Sequence, residues 1–485
     1  MKAIHKKKAT YQSVLEVIVP ADMCIGCGMC VPICPANVLE MRFNEYGEYI
    51  PVEVRPGCIS CPICLQACPF GNQSDNEDSL AELAFGHVQG IQHCFETGYY
   101  LRSFVGYVSD EAYRVTRSSG GLATWLQQTY LKEGLSDFVI SVVSNDDPGQ
   151  LFRYAVLDTV DKVRHSAQSA YYPVQMSDVI AKVLNTPGRY VVAGLPCFLK
   201  GLRLAMRHNA KLRKRIVCTI GLICGQTRSK FFAEYLIVMG GGDPAHVKRL
   251  YFRHKAPARP AIDYALCFET DDACQTGSKT TICGQDARKE IWTRGYFMPN
   301  ACNYCDDVFA EVADVALMDA WLPEYSQCWQ GHNMVIVRSP QVLELIEMGS
   351  AKGELVLNDI EIEQVINSQE GVLAKKREQL AYRLYINTGR GQGYVPKKRV
   401  EPRKPSLIDL WSVSLQEKMR ILSHQKFASL GDHRDAEHIN RFRAEMSRTV
   451  FLYRVVRSVR RLVFEGGLSR RIIRLVGGSP RQGGR

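Results

Sequence analysis

The stretch 189-RYVVAGLPCFLKGLR-203 decides the architecture of the chain. Its first half, 189-RYVVAGLPC-197, reads as a buried strand that ends in a Gly–Pro turn. Its second half opens a basic helical segment, 198-FLKGLRLAMRHNAKLRK-214. The same alternation continues on both sides. Upstream, 121-GLATWLQQTYLKEGL-135 reads as a helix, 137-DFVISVV-143 as a strand, and 176-MSDVIAKVLN-185 as a helix capped by Ser177. Downstream, 216-IVCTIGLICG-225 reads as a strand and 229-SKFFAEYLIVMG-240 as a helix. Such alternation implies an α/β main domain with a largely parallel or mixed sheet. Ligands of these sheets collect beyond the C-terminal ends of the strands. Two of the strands end there in cysteine, at Cys197 and Cys224.

The chain has 485 residues, enough for two or three domains. Its apolar share of 46% and charged share of 23% are those of a globular protein. The lysines at 2 and 6–8 are not followed by an apolar segment, so no secretory signal is expected. No apolar run reaches the roughly 18 residues a membrane span needs. The expected location is the cytoplasm, where thiols stay reduced, and 18 cysteines there point to metal rather than disulfides. The net charge of +11 is concentrated: residues 401–485 hold 18 Lys/Arg against 8 Asp/Glu. The body is near neutral, which argues against nucleic acid as its substrate.

Two runs near the N-terminus share one pattern. Residues 24-CIGCGMCVPICP-35 and 58-CISCPICLQACP-69 both read C-x2-C-x2-C-x3-C-P, the bacterial ferredoxin run. In that pattern the fourth cysteine of each run ligates the other cluster. Cys24, Cys27, Cys30 and Cys68 are therefore assigned to one 4Fe–4S cluster, and Cys58, Cys61, Cys64 and Cys34 to the second. The polar stretch 72-NQSDNEDS-79 then marks a boundary. Further on, 301-ACNYCDDVFAEVADVALMDAW-321 offers a lone C-x2-C pair, Cys302 and Cys305. A lone pair of this kind suits half of a zinc site or half of a cluster. The strand-end thiols Cys197 and Cys224 bring the count to four.

The strings 118-SSGGLATWLQ-127, 193-AGLPCFLKGLR-203, 218-CTIGLICG-225, 302-CNYCDDVFAEVADVALMDAW-321 and 331-GHNMVIVR-338 come in a distinctive order. In that order the chain resembles, over roughly residues 95–390, the beta subunit family of coenzyme F-420 hydrogenases and dehydrogenases. The resemblance implies a flavoprotein with FAD beside a third 4Fe–4S cluster held by Cys197, Cys224, Cys302 and Cys305. One position departs from the family pattern, which has Gly-Asp where this chain has Met318-Asp319.

The loop 117-RSSGG-121 precedes a helix, and glycines and hydroxyls at a helix N-terminus suit a phosphate. The resemblance makes Ser118, Ser119, Gly120, Gly121 and Thr124 FAD contacts. It adds Ser169 and Tyr171 from 166-SAQSAYYPV-174. No G-x-G-x-x-G follows a strand, so a Rossmann NAD site is not supported. FAD joins two-electron hydride carriers to one-electron clusters. The expected function is thus an FAD- and iron–sulfur-dependent oxidoreductase exchanging hydride with coenzyme F-420 and single electrons with a redox partner protein. The alternative readings are an electron-transfer subunit with no substrate of its own and a reductase of another organic substrate.

Asp306, Asp307 and Asp314 read as capping or solvating the loop after Cys305, with Asp306 and Asp319 the better candidates for a structural or cofactor role. The segment 396-PKKRVEPRKP-405 reads as a basic linker, and beyond it Leu452, Val455, Val456, Val459 and Val463 share one helical face among arginines. The run 469-SRRIIRLVGG-478 repeats the type. Such a helix either lies on the anionic cytoplasmic face of a membrane or packs its stripe on the body. The expected domains are 1–75 (ferredoxin type), 95–180 (flavin-binding part), 181–395 (part with the third cluster) and 396–485 (basic linker and helical tail).

Overall fold

The computed structural model describes residues 12–464, apart from 73–74, 167, 258, 271–278, 283–287, 289–290, 390–393 and 432–433. Its centre is an eight-stranded mixed sheet. In chain order its strands are β1 (Arg102–Val108), β2 (Phe138–Asp147), β3 (Gln150–Leu157), β4 (Tyr190–Gly194), β5 (Ile216–Leu222), β6 (Val315–Asp319), β7 (Asn333–Val337) and β8 (Leu355–Asp359). In space they run β8-β1-β7-β6-β5-β4-β2-β3. The middle four, β6-β5-β4-β2, are mutually parallel, and every other pairing is antiparallel.

The opening stretch forms β4 at the heart of this sheet. Tyr190 and Val192 enter the core on one face, and Val191 and Ala193 the core on the other. That two-sided burial is why the run is continuously apolar. Pro196 starts helix α2 (Pro196–His208), where its missing N–H costs nothing. Cys197 therefore sits in the first turn of a helix. The basic helix expected over 198–214 is two helices, broken at Asn209, whose side chain caps the second, Ala210–Arg215. Ser177 is the first residue of its helix and not the cap; Met176 holds that position.

The ferredoxin-like module is docked on α2. At Gly201 an added Cβ would lie 3.1 Å from Met29 Cγ and 3.4 Å from the Ala67 carbonyl, so a larger residue there would press the module away by a few tenths of an ångström. Met29 and Ala67 are buried there. The Met176 N–H donates to the Cys27 carbonyl at 3.0 Å, a second tie to the sheet domain.

Two long C-terminal helices, α3 (Leu407–Ala428) and α4 (Ala436–Phe464), close over a second core. Ile439, Phe442, Met446, Val450 and Tyr453 form the buried seam of α4. The stripe expected further along is displaced from that seam. Leu452, Val455 and Val459 are 42–45% exposed, because the face that meets α3 beyond Tyr453 is the one carrying Val456 and Arg460, whose guanidinium donates to Asp409 at 3.0 Å. The run 469–478 lies outside the described residues.

The basic segment at 396–405 is solvated only in part: residues 397 and 401–404 are exposed, while Lys398 and Arg399 turn inward. Arg399, with 10% of its side chain exposed, bridges three parts of the chain. Its guanidinium donates to both Glu311 oxygens at 2.6 and 2.9 Å. It also reaches Asp306 Oδ2 at 3.4 Å and lies 3.8 Å from Glu77 Oε2. Lys398 pairs with Asp306 at 3.5 Å and Lys200 with Glu77 at 3.0 Å. Asp306, Asp307 and Glu311 are each 1% exposed, so they do not solvate the loop. Burial pushes the Asp306 carboxyl upward, but Lys398 and Arg399 hold it well below the usual range. Asp314 is likewise engaged, accepting from Arg203 at 3.0 Å and from the Thr219 N–H at 2.7 Å. Breaking one partner out of a buried network leaves uncompensated charge and costs about 3–5 kcal/mol. Arg399→Met should therefore lower the urea midpoint by that equivalent, with Arg399→Lys falling between the two proteins. A midpoint equal to wild type in Arg399→Met would mean the carboxylates are satisfied without the guanidinium.

Candidate functional site

The C-terminal ends of the parallel strands carry the chemistry-bearing residues. Cys197 follows β4, Cys224 follows β5, and Cys302 and Cys305 lie on and just after a short 3-10 helix, Asn300–Tyr304, that leads toward β6. The four thiols are close enough to disfavour one another's ionisation. Burial pushes the Cys197 thiol well up, and Cys305, Cys224 and Cys302 push the same way. Burial and the Cys302 and Cys305 thiols act on Cys224 likewise, against the Lys376 ammonium, and raise it to about 12. Two donors point at the sulfurs: Lys376 Nζ lies 3.0 Å from Cys305 Sγ, and the Thr227 N–H lies 3.4 Å from Cys302 Sγ. Among the described residues no group of three His, Cys, Asp or Glu is drawn in tightly enough to hold a single metal ion.

The ferredoxin cysteines fall into two sets. Burial raises the Cys30 thiol well above its ordinary value, with Cys27, Cys24, Cys68 and Cys64 adding to it. Cys64 is raised by burial and then by Cys61 and Cys34. Cys68 thus lies near the first run's cysteines, and Cys34 near Cys61 and Cys64. Cys58 is the exposed member of the second set.

Between these groups is a cavity of about 470 Å3. It is lined by Arg117, Ser118, Ser119, Gly121 and Thr124, at the N-terminus of helix α1 (Leu122–Lys132). It is also lined by Cys24 and Gly26 of the ferredoxin module and by Cys224. Gly121 is at φ +92°, a left-handed conformation that glycine adopts without strain. Gly120 does not line the cavity; it fits against the sheet, where an added Cβ would be 2.7 Å from the Gly106 carbonyl. Helix α1 has no side-chain cap of its own, and its Leu122 N–H donates to Asn333 Oδ1 from β7 at 3.2 Å. The Ser118 hydroxyl accepts from the Ser169 N–H at 2.7 Å, which joins the two candidate loops. Ser119 donates to the His332 carbonyl at 2.7 Å.

One central residue of the cavity escapes sequence reasoning. Arg253 comes from a strand, Val247–His254, outside the main sheet. It donates to the Tyr171 hydroxyl at 2.7 and 2.9 Å and pairs with Asp319 at 2.8 Å. It therefore ties the candidate loop at 169–171 to the end of β6. No local motif marks it, since its partners are 66 and 82 residues away. The unusual Met318 is 5% exposed and packs in the core, leaving its carbonyl to accept from Asn333 Nδ2 at 3.1 Å.

The mixed sheet thus gathers thiols at the ends of its parallel strands and carries a docked ferredoxin-like module. Residues 103–181 and 188–363 match the N-terminal and C-terminal models of the coenzyme F420 hydrogenase/dehydrogenase beta subunit, and the chain belongs to that family. Residues 23–72 match a 4Fe–4S dicluster domain. The chain is 23% identical over 375 residues to the coenzyme F420-dependent sulfite reductase of Methanocaldococcus jannaschii, covering 74% of this chain and 49% of that one. It thus spans about half the length of that relative. It is 36% identical over 62 residues to Ferredoxin-3 of Nostoc sp., covering 10% of this chain and 64% of that one. A chain of the F420-reducing NiFe hydrogenase complex from Methanosarcina barkeri superposes with a TM-score of 0.48 at 17% identity, over 63% of this chain and 99% of that one. Among the described residues no helix is long and apolar enough to cross a membrane.

Behind Ser118 and Ser119, His332 is half-buried beside Lys255, whose ammonium donates to the Ser119 carbonyl at 2.7 Å. Burial first, and then the Arg114 and Lys255 cations, push the His332 imidazole down to about 4. The folded chain thus refuses a proton that an unfolded histidine accepts below about pH 6.5. Stability from this residue is lost as pH falls from there toward 4. Urea midpoints of wild type and His332→Asn should therefore converge or cross on going from about pH 7 to about pH 4.5, the wild type falling faster. Parallel midpoints would remove His332 from the acid response.

Proposed function

We propose that this chain is an FAD- and iron–sulfur-dependent oxidoreductase that converts hydride exchange with coenzyme F-420 into one-electron transfer. One observation carries the reading. A single cavity is walled both by a phosphate-suited helix N-terminus and by cysteines of two separate thiol sets. Bound there, FAD supplies the exchange between a hydride and single electrons. The chain's part is to bind and to position. The loop from Arg117 to Gly121 would take the pyrophosphate, with the α1 dipole and the Arg117 guanidinium favouring its charge. Thr124, Ser169, Tyr171 and Arg253 would line the remainder. Cys197, Cys224, Cys302 and Cys305 would hold a third 4Fe–4S cluster beside the two of the ferredoxin module.

The thiol positions support two routes for electrons rather than a single series from the third thiol set into the ferredoxin module. Cys24 is itself on the cavity wall, so the ferredoxin module has its own access to the occupant. Cys58, exposed on the second set, supports a handover from there to a redox partner.

A second reading has its own observation. Because the chain spans about half of the sulfite reductase it resembles, it can act as an electron-input unit for a catalytic chain elsewhere. The exposed Leu452, Val455 and Val459 among Arg454, Arg457 and Arg461 support a peripheral contact with an anionic membrane surface.

Anaerobically purified protein should contain about twelve irons, four for each of three clusters, and about one FAD per chain. Cys302→Ala should lose about four of these irons while the ferredoxin signals in electron paramagnetic resonance persist. About eight irons in wild type, with stoichiometric zinc, would replace the third cluster by a zinc site. In stopped-flow absorbance, F-420H2 should bleach the bound flavin faster than NADH or NADPH. Bleaching by none of the three would leave the electron-input reading.

A further inference from the structure

We infer that Lys376 sets the reduction potential of the centre held by Cys197, Cys224, Cys302 and Cys305, making that centre easier to reduce than its thiolates alone would allow. The inference rests on the proposal that these four thiols hold an iron–sulfur cluster. It adds a residue outside the segments matched by the family models, which end at residue 363.

Lys376 lies in a five-residue π-helical turn, Ala374–Glu378, inserted between the helices Glu370–Leu373 and Gln379–Gly389. Such turns are rare and recur at functional sites, because the wider turn re-aims side chains. Here two consecutive lysines contact the region of the cysteines. Lys375 Nζ donates to Gln226 Oε1 and lies 3.6 Å from Met298 Sδ. Lys376 Nζ lies 3.0 Å from Cys305 Sγ and 2.7 Å from the Asp307 carbonyl. Lys376 is 4% exposed.

Two of the three acids nearby are engaged by other cations. Asp306 is held by Lys398 and Arg399, and Glu311 by Arg399 and Arg377. The Asp307 carboxylate accepts from the Glu311 N–H. The nearest group of opposite sign to the Lys376 ammonium is therefore the ligand sulfur. Reduction adds one electron and no bond changes, so the centre becomes one charge more negative in a buried place. A fixed cation in contact with one ligand favours that state, since net charge and hydrogen bonds to the sulfurs set cluster potentials.

The test is an anaerobic redox titration of the full chain, followed by electron paramagnetic resonance, for wild type, Lys376→Met and Lys376→Arg. In Lys376→Met the third centre should shift to lower potential. In Lys376→Arg it should stay near wild type, and the two ferredoxin centres should keep their potentials in all three proteins. Where the Met variant sheds its third-site iron, Lys376→Gln, which keeps a hydrogen-bond donor but drops the charge, should show the same downward shift. An unshifted third centre in the uncharged variant that retains its iron, or an equal shift in Lys376→Arg, overturns the inference. Absence of a third iron centre in wild type overturns the cluster reading beneath it instead.

Discussion

Arg399 is the residue on which the arrangement of the site depends. Its guanidinium joins Glu77, at the exit from the ferredoxin module, to Asp306 and Glu311, in the loop that carries Cys302 and Cys305. Lys200, on the helix that begins at Pro196 with Cys197 in its first turn, completes the network through Glu77. Four segments far apart in sequence are thus bound to one another in the interior. Buried charge of this kind contributes little net stability, because desolvation offsets the attraction. Its effect is to specify geometry. A carboxylate at 1% exposure has no alternative partner in water, so the loop bearing two of the thiols cannot settle elsewhere without leaving a charge unpaired.

The sheet supplies the other half of the geometry. Parallel strands β4, β5 and β6 finish at the same edge, so the segments after them converge without any local signal between them. Cys197, Cys224 and Asp319 reach one region for this reason. The antiparallel strands β7 and β1 on one flank bring Asn333 and Gly106 against the 118–121 loop. The glycine pair Gly106 and Gly120 lets that loop lie flat on the sheet, and Asn333 then holds the first turn of the helix.

What could be read in advance follows from the range of each interaction. The buried strands β2, β4 and β5 were legible because both faces of each are covered, which writes a continuous apolar run. The ferredoxin cysteines were legible because their ligand spacing is local. The edge strands β3 and β8 carry no such run, since each is paired on one side only and Arg153 and Asn358 break their apolar pattern. Arg253 and Lys376 were silent for the same reason: each is an ordinary basic residue until the fold supplies partners. The basic segment around Lys398 and Arg399 misled most, because positive charge with prolines resembles a solvated linker whenever the acids that bury it are some 90 residues away. The seam of the last helix was displaced because the apolar residues near its end are not the ones the body covers.

The two thiol environments next to the cavity differ in the charge around them. Around Cys24, Cys27 and Cys68 the favourable partners are backbone N–H groups of Gly26, Met29, Phe70 and Gly71, and Glu48 adds negative charge beside Cys24. Around Cys302 and Cys305 are cations: Lys376 on the sulfur and Arg228, fully buried with its guanidinium donating to the Trp292 and Tyr296 carbonyls, while burial and the Arg228 charge push the neighbouring Lys375 ammonium down to about 7. Backbone donors compensate part of a charge, whereas buried ammonium and guanidinium groups supply whole ones. The same cavity therefore faces an electroneutral-to-negative neighbourhood at Cys24 and a positive one at Cys224. The two sides of the cavity are therefore electrostatically unequal, and the inequality is built from side chains drawn from every part of the fold.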